Sequence, residues 1–235
     1  MATFVLVHGA WQGGWCWRRV EDRLRNFGHL VFAPTLTGLG ERVHLLNDKI
    51  DLDTHIQDVL GVIESEELSN IILCGHSYGG MVITSVADKV PSTVSTLVYL
   101  DALVPESGLC TLELLPKEIG STLLESARST DKGFLVAPDQ AKNFGVNIHD
   151  QAWVNRRSVD QPLKTFEQPI FLEGAWKLIP DRIYIYATGW APGIGKPFYE
   201  IAQRDSGWQS NSIQCGHDVM IDKPEELTQM LIDCI

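Results

Sequence analysis

The chain has 235 residues, 44% hydrophobic and 21% charged, which suits one large globular domain with a well-buried core. Its net charge of -11 repels phosphates and so disfavours nucleic acid and anionic membranes as partners. No apolar run approaches a membrane span and no positively charged signal precedes the first strand-like residues. Five cysteines without metal-ligand spacing read as reduced thiols, so the expectation is a cytoplasmic protein that needs no metal.

In chain order, "TFVLV" (3–7) is a short β-branched run, and Cys16 to Phe27 reads as a helix stopped by Gly28. "HLVFAP" (29–34) is a second strand, closed by Pro34. Asp53 to Glu67 carries apolar residues at Ile56, Val59, Leu60 and Ile63, a helical spacing with Asp53 as the expected cap. "NIILCG" is a third strand, Tyr78 to Val90 a helix ended by Pro91, and "STLVYLD" (95–101) a fourth strand.

Residues 102 to about 180 break this rhythm, with helical patches around 111–128 and 139–157 and a loop containing Pro162 and Pro169. "RIYIYATG" (182–189) and "WQSNSIQCG" (208–216) resume as strands, and Glu225 to Ile235 closes the chain as a helix. Short buried strands alternating with helices predict an α/β fold: a mostly parallel sheet of about six strands, flanked by helices. Residues 1–235 read as one domain, with 102–180 as a small helical lid inserted after the fourth strand.

In such a sheet ligands gather at the carboxyl ends of the strands. Gly75-His76-Ser77-Tyr78-Gly79 fits G-x-S-x-G between a strand and a helix, the context in which a sharp turn lifts a nucleophilic serine above the sheet. The helix that follows aims its N-terminus at developing negative charge. A second oxyanion donor is expected from "VHGAWQGGW" (7–15), through the backbone N–H of Ala10, beside that of Tyr78. His8 reads as a residue that holds this loop by hydrogen bonding.

Two nucleotide motifs fail. The 9–14 loop runs into Trp15 and Cys16 instead of the Lys-Ser/Thr of a phosphate loop, and "GLGERV" (38–43) has Val43 where a third glycine belongs. Neither supports a nucleotide cofactor.

A serine hydroxyl needs a base, and "QCGHDVM" (214–220) places His217 after the last strand. The orienting carboxylate ordinarily follows the penultimate strand. Here that loop, "ATGWAPGIGKP" (187–197), contains no Asp or Glu, and Ala191 occupies the natural position. Asp205 lies too near the final strand. Asp101, at the end of the fourth strand, is the alternative acid; its other readings are a carboxylate capping the lid entrance, or a serine–histidine dyad with no acid.

"FVLVHGAWQGGWCW", "GHSYGGM", "LVYLDALVPE" and "CGHDVMIDKPEEL" together resemble the α/β-hydrolase superfamily, in the branch of small methylesterases and hydroxynitrile-lyase-like enzymes. Within it, "THIQDVLGVIE" and "QPLKTFEQPI" are most similar to bacterial esterases of benzimidazole methyl carbamates such as carbendazim. The resemblance covers nearly the whole chain and is weakest at about 105–150. It implies Ser77 as nucleophile, His217 as base and backbone donors at Ala10 and Tyr78, whereas relatives commonly carry Asp where Ala191 stands.

The leading expectation is a cofactor-free serine esterase cleaving a small apolar or aromatic ester or methyl carbamate through an acyl-enzyme. Trp11, Trp15, Trp153 and Trp190 are candidates to line its pocket. Lyases of the branch carry threonine after the first-loop histidine and lysine after the catalytic one. Gly9 and Asp218 here disfavour that reaction. An impaired or ligand-binding homologue is the non-enzymatic alternative, and a homodimer is an allowed assembly.

Overall fold

The computed structural model describes residues 1–129 and 133–235. Six strands form one sheet: β1 (Thr3–Val7), β2 (Leu30–Phe32), β3 (Ile71–His76), β4 (Val94–Leu100), β5 (Asp181–Ala187) and β6 (Gln209–Ile213), in the order β2-β1-β3-β4-β5-β6. Every pairing is parallel, with Val7 opposite Gly75 and Leu100 opposite Ile185. This is the sheet expected of an α/β-hydrolase fold.

Period-two alternation distributes the strand side chains between two cores. Phe4, Leu6, Ile72, Cys74 and Val98 enter one core, together with Val20 and Leu24 of α1 (Arg18–Asn26) and Leu227 and Leu231 of α6 (Pro224–Ile232). Val5, Val7, Leu73, Leu97 and Tyr99 enter the other, against α2 (Leu52–Ser65) and α3 (Gly79–Lys89). A sheet apolar on both faces must be covered on both, which explains the parallel, helix-flanked architecture.

Two local readings are corrected. The cap of α2 is Asp51, not Asp53: its carboxylate accepts from the backbone N–H of Thr54, whose hydroxyl lies near the Asp51 N–H in a capping box. Between β5 and β6 a helix, α5 (Lys196–Arg204), forms where no element was expected. It begins just after a run of Gly and Pro, with Gly195 as N-cap and Pro197 in its first turn.

The segment between β4 and β5 holds α4 (Lys117–Ser129), short helical turns at Thr111–Leu114, Ala141–Phe144, Gln151–Arg157 and Lys164–Glu167, and a two-stranded ribbon pairing Leu135–Val136 with Gln161–Pro162. The expected lid span of 102–180 includes residues 130–132, which lie outside the described residues. Among the described residues no helix is long and apolar enough to cross a membrane.

Candidate active site

Ser77 follows β3 with φ +53, in the left-handed region that a non-glycine residue enters only when its surroundings hold it there. Two glycines make the turn sterically feasible. A Cβ on Gly75 would lie 2.7 Å from the carbonyl oxygen of Gly79, and one on Gly79 would lie 2.8 Å from that of His8. The Ser77 amide donates to the Leu100 carbonyl at 3.2 Å and its carbonyl accepts from Leu103, which ties the serine to the end of β4.

The first loop is clamped beside it. Leu36 N–H donates to His8 Nε2 at 3.0 Å, so the ring proton sits on Nδ1 and donates to the Gly9 carbonyl at 2.8 Å. Burial lowers the pKa of His8 to about 4 and keeps it neutral. Tyr78 is anchored the same way: His55 Nε2 donates to the Thr37 carbonyl, leaving Nδ1 to accept from the Tyr78 hydroxyl at 3.0 Å. Burial lowers His55 to about 4 as well. The amides of Ala10 and Tyr78 donate to no protein acceptor among the described residues, so both remain open to a ligand.

His217 arrives four residues after β6, its amide donating to the Phe144 carbonyl at 2.8 Å. Its Nδ1 lies 2.6 Å from Oδ2 of Asp101. A carboxylate only accepts, so Nδ1 carries the proton and Nε2 is left basic. Asp101 is fully buried with φ +43, its own amide donating to Ile185 at 2.7 Å. The structure therefore brings Asp101 to His217, while Ala191 is exposed.

Beneath His217 lies a buried polar layer that sequence reading missed. His76 Nε2 donates to the His217 carbonyl at 3.0 Å, and Gln12 Nε2 donates to Asp218 Oδ1 at 3.0 Å. Burial, reinforced by the neighbouring His217 ring, drives His76 well down; burial raises Asp218 despite the opposing effects of His217 and Gln12. A recess of about 20 Å³ adjoins this layer and Ser77.

A larger cavity of about 550 Å³ opens on Ala10, Ser77, Tyr78 and His217. Leu115, Ile119 and Leu123 wall it from one side, and Leu103, Phe144 and Phe166 complete its apolar lining. Trp11 and Trp190 also line it. Trp15 and Trp153 line neither space, and their pocket role is corrected. They pack edge-to-face at 4.9 Å, and Trp153 also meets the guanidinium groups of Arg19 and Arg157 at 5.6 and 5.2 Å. The amphipathic pattern of residues 117–129 was the available signal for the lid wall. Among the described residues no cluster of His, Cys, Asp and Glu is built to hold a metal ion.

Comparison with known proteins agrees with this architecture. The family model described as alpha/beta hydrolase family matches residues 4–230. Carbendazim hydrolyzing esterase from Nocardioides sp. (strain SG-4G) is 48% identical, over 98% of this chain and 98% of that protein. Methylesterase 10 of Arabidopsis thaliana is 26% identical, over 97% and 90%. An extracellular alpha/beta-hydrolase from a Paenibacillus species has a TM-score of 0.85 at 20% identity, covering 100% of this chain and 99% of its own. A pyrethroid hydrolase from Sphingobium faniae JZ-2 gives 0.76 at 24%, covering 99% and 96%. The structural likenesses speak for the fold, and the esterase relatives support a hydrolase activity. The chain belongs to the alpha/beta hydrolase family.

Proposed function

We propose that this protein is a serine esterase, working without a cofactor, that cleaves small apolar or aromatic carboxylic esters or methyl carbamates. The observation that carries the reading is the 2.6 Å contact of Asp101 with His217, formed beside a strained Ser77 and open amides at the mouth of one apolar cavity.

In this mechanism His217 Nε2 takes the proton of Ser77 as its Oγ attacks the carbonyl carbon, and the oxyanion forms against the Ala10 and Tyr78 amides. Asp101 holds the imidazole in the tautomer that leaves Nε2 free and stabilises the imidazolium. His217 then returns the proton to the departing alcohol. Water enters, loses its proton to His217 and attacks the acyl carbon; the bond to Ser77 Oγ then breaks and His217 returns the proton to that oxygen, releasing the acid. From a methyl carbamate the products are methanol and a carbamic acid, which loses carbon dioxide to leave an amine.

The carbendazim hydrolyzing esterase, similar over nearly its full length, motivates including methyl carbamates beside methyl esters. The apolar walls supplied by Leu115, Ile119, Leu123 and Phe166 suit a flat or aromatic group there. The test is a fluorophosphonate probe followed by a substrate panel of methyl esters, aryl acetates and methyl carbamates. Stoichiometric labelling of Ser77, abolished in Ser77→Ala, with turnover of at least one class is expected. Folded protein that takes no label would overturn the reading.

A further inference from the structure

The ring of His217 is enclosed on its flat sides as well as along its Asp101 edge. Trp190 stacks on it with centroids 4.2 Å apart and planes at 29°. His76 tilts against it at 4.5 Å, and Phe144 touches both His217 and Trp190 at 5.9 Å. The His217 side chain is 4% exposed, so water does little to solvate a charge placed on it.

Trp190 is held as a group with an assigned orientation, not as general filling. Its Nε1–H donates to the Asn143 carbonyl at 2.8 Å, whereas the buried Nε1 atoms of Trp15 and Trp17 have no acceptor among the described residues. The preceding Gly189 donates to the Cys215 carbonyl at 2.9 Å. A Cβ on Gly189 would come within 2.6 Å of that oxygen, so the strand end of Trp190 lies directly against the segment that carries His217. With its edge donor engaged, the indole offers His217 only its π face.

We infer that Trp190 is a positioning residue for His217: its indole face fixes the imidazole plane against Asp101 and stabilises the imidazolium formed when the ring takes a proton. A cation over an indole face is attracted by the ring quadrupole, and more strongly where it is desolvated. The titratable and charged groups facing the same ring are Asp101 from the end of β4, His76 from the end of β3, Asp218 next in sequence, and Ser77. Burial holds His76 neutral; Asp218 attracts the His217 charge but burial raises its own pKa and works against its ionisation, which leaves Asp101, in direct contact at 2.6 Å, and the indole face as the groups lying against the ring that favour a positive His217. The link to turnover rests on the serine-esterase reading; the effect on the ring itself does not.

The test replaces Trp190 site-specifically with mono-, di- and trifluorotryptophan, which preserve the indole's shape while draining its π face. The His217 ring is followed by imidazole NMR during a pH titration of the folded protein. Protonation of His217 should move stepwise to lower pH, reaching about half a pH unit, a threefold change in the protonation equilibrium. In parallel, the acidic limb of kcat/KM should move the same way and kcat should fall stepwise. Trp190→Phe should keep part of the effect and Trp190→Leu none. A flat fluorotryptophan series in the NMR titration would overturn the inference. A graded titration without any turnover would instead sustain it and sink the esterase reading.

Discussion

The loops after β4 and β5 leave neighbouring strand ends and converge on the same histidine with opposite chemistry. The first delivers a buried carboxylate, Asp101, from a backbone bent to φ +43. The second, at 188–195, has no carboxylate; it turns Ala191 to solvent and Trp190 onto the flat face of His217. Adjacent strands lie about 4.8 Å apart, so either loop is within reach of one imidazole. What a histidine needs behind it is an acceptor at Nδ1, and the strand that carries it is free to differ.

Asp101→Asn strikes hardest at this contrast. Asn keeps the volume and can still take the contact from the Ala187 amide, but its side-chain NH₂ placed against Nδ1 forces the ring proton to Nε2. Loss of kcat on the order of 10⁴-fold with an unchanged unfolding midpoint is expected. A loss below about tenfold would mean that the carboxylate does not set the tautomer.

That measurement belongs above pH 6, because two buried histidines that anchor the first loop and Tyr78 respond to acid. His8 and His55 are buried neutral, each lowered to about 4 from an unfolded value near 6.5. Since both folded values are depressed, the unfolded chain binds more protons between the two, and stability present above about pH 6.5 is lost as pH falls toward 4. Linkage puts the loss at about 3 kcal/mol for each ring, on the order of a hundredfold in the unfolding constant. Urea melts at pH 7, 5.5 and 4.5 should show the midpoint falling, with most of the drop below pH 6. Equal midpoints would show that these rings are hydrated in solution.

The two loops also differ in how legible they were. Ser77 and His217 could be read because a strand-turn-helix motif and a position after the last strand are local patterns, and local patterns survive in one dimension. Asp101 was visible as a candidate through its place at a strand end, but nothing in "LVYLDALVP" says how far its oxygen lies from a ring 116 residues later. The stacking of Trp190 on His217 was not legible at all, because Trp15 and Trp153 look like the same signal and went elsewhere. Which surface a tryptophan faces depends on tertiary partners, Arg19 and Arg157 in one case and Asn143 and Phe144 in the other. Helix α5 was hidden by the Gly- and Pro-rich run that caps it. The cap of α2 was misplaced by two residues because Asp51 and Asp53 both suit an N-cap, and Thr54 decides between them.

Gly195→Ala brings the two loops into conflict. A Cβ there would press against Oδ1 of Asp101 and lie 2.7 Å from the Tyr184 hydroxyl, which itself donates to Ala102. Tyr184 is locked in the core, so the carboxylate must move. A shift of even 1 Å in a group that orients a catalytic base lowers turnover by up to about 10²-fold, at a stability cost of about 1–3 kcal/mol for overpacking. Gly195→Ala should therefore lower kcat without greatly changing KM, and should add little to Asp101→Asn, since both act on one contact. Full additivity of the two losses would separate them.

The smallest expected effect is the most discriminating. Ala191→Asp places a carboxylate where relatives are expected to carry one, yet the position is exposed here, the Nδ1 proton is already engaged by Asp101 at 2.6 Å, and Trp190 covers the intervening ring face. An aspartate at 191 keeps its hydration by pointing outward, and the gain from a charged hydrogen bond is closed to it while Asp101 remains in place. Turnover should stay within about twofold of the parent. The decisive form is the double variant: Ala191→Asp in an Asp101→Asn background should recover less than about tenfold of the lost kcat, because Trp190 would have to leave its hydrogen bond to Asn143 for the new carboxylate to come in. Recovery by a thousandfold would show that the β5 loop is interchangeable with the β4 loop as a source of the acid; a flat result would make the aromatic cover and the relocated carboxylate two parts of one arrangement.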